Sequence, residues 1–226
     1  MRIKGLTVNY EYTVDELSKA LMLRIANHED PERMLRLIDE KMDHAKERLE
    51  ENFIDKETYD DFYATLLYWK AKIYIEEMDE PYRNIWKIKN YLKKAFKAGS
   101  SDAAAYIGYC HYTGQYVTNN VDRKKAIFYF GKAKENYGLF VEYLIAQAIA
   151  QADNDVKSLR QAEEYYKIAI EKKVYGAKLG LVYLYLKLEE NMDEAKRLLK
   201  EVSEADGNDY EDEFEEINRI QNSKKR

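Results

Sequence analysis

Cysteine is nearly missing. Cys110 is the single one in 226 residues, so no disulfide can close within the chain. Two prolines and nine glycines leave little material for long structureless loops. Histidine occurs three times. His44 has no second histidine near it, and neither an HExxH nor a paired ExxH occurs, so metal-ligand spacing is wanting. Cys110 and His111 are neighbours in sequence. On a helix they point about 100° apart, too far to pair as nucleophile and base. Phosphate loops, G-x-G-x-x-G and G-x-S-x-G are missing too. These absences predict a protein that is not an enzyme and needs no metal or cofactor. A run of about eighteen apolar residues, the length a membrane helix requires, is lacking as well. The opening MRIKGLTVNYEYT has no apolar stretch of signal-peptide length. The expectation is a cytoplasmic protein without a membrane partner.

Charge is abundant, at 35% of residues, and unevenly spread over a net of −5. Residues 189–216 hold 13 acids and 3 bases, a net of −10, which leaves about +5 for the remainder. An acidic chain of this kind is a poor nucleic-acid binder. The acidic stretch reads either as a solvated helix face or as a surface for a basic partner. Tyrosine is over-used, with 21 copies. Its ring supplies amphipathic surface at low rotamer cost, which suits helix seams and binding faces alike.

Periodicity is helical almost throughout. Ile3, Leu6, Val8, Tyr10 and Tyr12 alternate weakly and predict a short strand or an extended arm. Beyond Tyr12 strand signals stop. Thr13 and Glu16 fit a capping box ahead of Val14, Leu17 and Leu21. Asp30-Pro31 fits an N-cap followed by proline in the first turn. Met34, Ile38, Met42, Ala45 and Leu49 then form one stripe. A further helix starts near Thr58 and runs through Phe62, Leu66 and Ile73.

A repeat runs through the rest. Ile107-Gly108 with His111 matches Leu179-Gly180 with Tyr183, an aliphatic residue, a glycine and then a ring. Ala71 with Tyr74 and Ala146 with Ile149 fit the same frame. The small positions 71, 108, 146 and 180 lie 37, 38 and 34 residues apart, a period that implies stacked helix pairs. A second element keeps step. Ala126 to Ala133 matches Ala162 to Ala169, with counterparts at Ile88 to Ala95 and Ala195 to Val202. Glycines at 99, 138, 176 and 207 fall where each unit must turn. A glycine within a helix costs about 1 kcal/mol against alanine. Gly108 and Gly180 are therefore predicted to mark close approach of another helix. Leucine there should overpack, and alanine should be milder.

These residues resemble the Sel1-like repeat, a relative of the tetratricopeptide repeat. The best unit is 104–138, with Ile107-Gly108, His111 in the ring position, Gly114, Asp122, Ala126, Tyr129-Phe130, Lys132-Ala133 and Gly138. The resemblance covers about residues 64–207 in four units. A subgroup of the family bridges its repeats with paired cysteines, from which this chain departs. The resemblance implies an all-α, right-handed superhelix of helix-turn-helix repeats that presents a concave face to a partner protein. The predicted organisation is an arm and extra helices over 1–57, repeats over 58–207, and a capping helix with a basic tail over 208–226.

In the superfamily the first helix of each pair lines the concave side. The stripe beside the buried one in unit two is Ala105, Tyr109 and Tyr112. The same offset gives Tyr68, Lys72 and Ile75 in unit one, Tyr143, Gln147 and Ala150 in unit three, and Ala177, Leu181 and Leu184 in unit four. Such a row can be a groove for an apolar segment of a partner or core packed against the next repeat. The leading expectation is protein–protein interaction as an adaptor, regulator or antagonist. The alternative is a receptor for a small peptide or ligand held inside the superhelix.

Overall fold

The computed structural model describes residues 19, 21, 23, 24, 27, 30–76, 84–133, 140–152 and 154–224. The expected N-terminal strand or arm, the capping box at Thr13, His28 and Gly138 lie outside them.

Among the described residues the chain forms ten helices and no strand. They are α1 (Pro31–Glu50), α2 (Lys56–Glu76), α3 (Ile85–Lys97), α4 (Ser101–Thr113), α5 (Arg123–Phe130), α6 (Val141–Ala152), α7 (Val156–Glu171), α8 (Ala177–Leu188), α9 (Met192–Asp206) and α10 (Glu211–Ser223). Short polar residues set most of the starts. Asp30 caps α1 through the Glu32 N–H at 3.2 Å, with Pro31 inside the first turn. Asn84, Ser100, Asp122 and Asp155 cap α3, α4, α5 and α7 in the same way. Each such cap is worth about 1 kcal/mol. The helix expected from Thr58 begins two residues earlier, because Asp55 accepts the Thr58 N–H at 2.7 Å.

Consecutive helices pack side by side, in the order of the chain, from α1 to α10. Four pairs follow one another: α2–α3, α4–α5, α6–α7 and α8–α9. The first helices also touch each other, α2 with α4, α4 with α6 and α6 with α8. Among the described residues the second helices make no comparable contact with one another. The first helices are thus the tighter layer of a stacked helical array, and each second helix is wedged over the seam between two of them.

That layering explains which helices are apolar all round. In α4 the run Ala103 to Gly108 is buried, together with Cys110 and His111. Helix α4 forms the wall between two parts of the core, the first centred on Trp69, Ile88 and Leu92, the second on Phe130, Ile145 and Leu199. A helix flanked on all sides has no face for charge. The second helices α3, α7 and α9 bury only one stripe: Ile88, Leu92 and Ala95 in α3, for example.

The two helical glycines behave as their spacing predicts, with one difference. A Cβ on Gly108 would lie 2.6 Å from Cδ1 of Phe130, in the same pair. A Cβ on Gly180 would lie 2.9 Å from Cζ of Tyr166 and still nearer Cε1, in the preceding pair. Phe130 and Tyr166 hold equivalent positions in their second helices. A wedged second helix can send its ring into either neighbouring first helix, and the glycine marks the side that received it. Both rings are buried, so neither can swing clear. The milder effect expected of alanine at Gly180 is therefore revised upward, since the first carbon already collides.

Candidate binding face on the first-helix layer

The offset that generated the candidate row divides by position in the array. Tyr68, Leu181 and Leu184 are each 2% exposed and Ile75 is 6% exposed. These four are core, a correction to their expected place on an open face. The reason lies at the two ends of the array. Tyr68 and Ile75 share a cluster with Met34 and Ile38 of α1, and Tyr68 meets Tyr106 of α4. Leu181 and Leu184 share one with Ile217 and Ile220 of α10. Flanking helices supply apolar surface that the repeat frame does not contain. Ala105 and Ala177 are fully buried as well.

Lys72, Tyr109, Tyr112, Tyr143, Gln147 and Ala150 stay partly exposed. Lys72 pairs with Glu76 one turn on and lies 6.0 Å from the Tyr106 ring centre. Tyr109 packs on Tyr106 with the rings tilted at 55° and 5.9 Å between their centres. Tyr112, Gln147 and Tyr143 are joined by hydrogen bonds that run in one direction. Arg123 donates to Oε1 of Gln151 through Nε at 3.2 Å and Nη2 at 3.0 Å. Gln151 Nε2 donates to the Tyr112 hydroxyl at 3.0 Å. Tyr112 donates to Gln147 Oε1 at 3.1 Å, and Gln147 Nε2 donates to the Tyr143 hydroxyl at 2.6 Å. Chains of this type polarise each bond by the last. The chain ends at Tyr143, whose O–H donates to no acceptor among the described residues. Burial, and then the neighbouring Tyr112, push the Tyr143 pKa up, so the hydroxyl keeps its proton at neutral pH.

Sequence spacing found Tyr112, Tyr143 and Gln147 but not their partners. Gln151 lies one turn beyond Gln147 and was reachable by extending the stripe. Arg123 was not, because it arrives from the start of α5. The same holds for an ion cluster between α7 and α8. Glu163 is buried, yet accepts from Arg160 at 2.8 Å, Tyr185 at 3.1 Å and Lys167 at 3.0 Å. Burial alone would raise its pKa, but those donors outweigh burial and hold it low.

Elsewhere, burial pushes the Cys110 thiol up to about 11, and His111 stacks on Tyr129 at 5.4 Å with ring planes 6° apart. Among the described residues no group of three or more His, Cys, Asp or Glu side chains is placed to hold a metal ion. No described helix is long and apolar enough to cross a membrane. A cleft of about 690 Å³ opens where α7 ends, α8 begins and α9 ends, over Ile170, Val174, Leu198 and Val202. It shares no residue with the row.

No protein-family model matches the chain, and no curated protein matches it significantly. The repeat frame within the chain and its helical stacking therefore carry the reading on their own.

Proposed function

We propose that this protein is a non-enzymatic protein-binding module, a right-handed Sel1-like superhelix. It engages one partner protein through the middle of its first-helix layer, as an adaptor, regulator or antagonist in the cytoplasm. The supporting observation is the directed row Arg123, Gln151, Tyr112, Gln147 and Tyr143, which joins α4 and α6 with the start of α5. Rings held in one geometry lose little rotamer freedom on binding, so more of their contact energy appears as affinity. Tyrosine is also among the residues in which interface energy concentrates. The Tyr143 hydroxyl offers a donor to a backbone carbonyl of the partner, and Tyr109 adds a partly exposed ring from α4.

The test uses Tyr109→Ala and Tyr143→Ala. Capture from native lysate, quantified by mass spectrometry, should retain a partner with the native chain and lose it with either variant. Each substitution should weaken the purified complex by about 2 kcal/mol, with the circular-dichroism melt little changed. Undiminished binding by both well-folded variants would sink the reading.

A further inference from the structure

The acidic net charge conceals a basic region. Residues 84–132 hold nine bases, Lys87, Lys89, Lys93, Lys94, Lys97, Arg123, Lys124, Lys125 and Lys132, against the two acids Asp102 and Asp122. Helix α3 contains lysines and no acid at all. On the second-helix side, α3, α4 and α5 enclose a cleft of about 350 Å³ lined by Lys89, Lys93, Lys125 and His111, with Phe96 and Tyr129 among its apolar walls. Among the described residues Lys89 and Lys93 have no carboxylate partner, although carboxylates pair with many of the chain's other cations. Lys125 is the one lining lysine with a partner, Asp122 at 3.1 Å.

His111 is the second observation. It is 9% exposed, and the stack on Tyr129 fixes its ring. Its Nδ1 is shut away from water with no hydrogen-bond partner, so any contact with a ligand in the cleft falls to Nε2. Beside that fixed ring the cleft gathers two lysines that have no carboxylate partner among the described residues, so it presents an excess of positive charge. An anion would answer that excess.

We propose that this cleft is a binding site for a tetrahedral oxyanion of the phosphate class, held by Lys89, Lys93 and Lys125 with the His111 imidazole at its wall. Lysines from two helices, Lys89 and Lys93 from α3 and Lys125 from α5, act as point charges around such a group. The titratable groups around His111 are Lys125, Asp122 and the stacked Tyr129 from α5, with Lys89 and Lys93 from α3 lining the same cleft. Burial, then Lys125, hold the His111 pKa down, against a smaller upward pull from Asp122. Anion binding must reverse part of that effect, and protonation of His111 must in turn tighten anion binding.

Sulfate, which keeps its charge near neutral pH, is the first probe, titrated at constant ionic strength against chloride and followed by the NMR signals of His111. Saturable shifts and a raised His111 pKa are expected. Lys89→Ala with Lys93→Ala should weaken binding about tenfold, equivalent to about 1.4 kcal/mol. Lys94→Ala with Lys124→Ala, outside the cleft, should not. His111→Gln should retain sulfate while removing the tightening at low pH. Equal loss in both lysine pairs, or shifts that never saturate, would reduce the site to diffuse charge and overturn the proposal. A second arm compares inorganic phosphate, a Gly-Ser-Gly peptide phosphorylated on serine, and the same peptide unphosphorylated. Preference for either phosphate source over the bare peptide supports the site and tells a free ion from a displayed one. Equal binding of both peptides counts against it.

Discussion

The middle pairs of this array and its last pair place equivalent residues in opposite environments. Tyr109 and Gln147 hold one row in α4 and α6, and Leu181 continues it in α8. The first two are partly open, while Leu181 is 2% exposed. The helices differ less than their neighbours do. In the middle, each first helix meets only other repeat helices. Toward the ends, α1 and α10 add apolar side chains to the clusters that take in Tyr68, Ile75, Leu181 and Leu184. A repeat unit therefore specifies its own seam but not the fate of its outer stripe.

The strongest way to break that comparison is at the end of the array. Leu181→Ala should cost about 2–5 kcal/mol in urea unfolding, because a buried leucine leaves a cavity. The fraction that remains folded should bind as before. A fully stable Leu181→Ala variant with impaired binding would put this residue back on an open face.

The glycines sharpen the comparison from within the seams. Gly108→Ala and Gly180→Ala should each cost about 1–3 kcal/mol through overpacking against Phe130 and Tyr166. Gly180→Ala with Tyr166→Leu should recover part of the loss, as the smaller side chain can yield. Two neutral single variants in urea titrations would refute the close-approach argument.

Between the third and fourth pairs, Glu163→Ala should cost about 1–3 kcal/mol, since hydrogen bonds to a charged group are lost. The sign with pH follows from its lowered pKa. Its contribution is present above the unfolded carboxyl value, near 4.5, and fades as pH falls through the lower folded value. Glu163→Gln should flatten the acid side of the stability profile. An unchanged profile would show that the cluster contributes nothing to that slope.

The smallest expected effect is at the acidic end. Charge reversal at Glu211, Asp212 and Glu213 should change the association rate and its salt dependence more than dissociation. Stopped-flow rates that ignore both the variant and the salt would assign this face to solvation alone.

Much of the architecture was legible in the residues themselves. A glycine within a helix costs stability and is kept where another helix comes close, so Gly108 and Gly180 announced tight seams, which Phe130 and Tyr166 fill. Asp30-Pro31 and the stripe through Met34, Ile38 and Ala45 foretold α1, because capping and helical spacing are local properties. The 37-, 38- and 34-residue spacing of small positions likewise implied stacked pairs. Only tertiary structure could decide exposure along the outer stripe. It also decided the Arg123-to-Tyr143 hydrogen-bond chain and the gathering of Lys89, Lys93, Lys125 and His111 around one cleft. Each of these joins residues from different helices. Spacing along a helix fixes which face a side chain shares, but what that face meets depends on how the remaining helices stack.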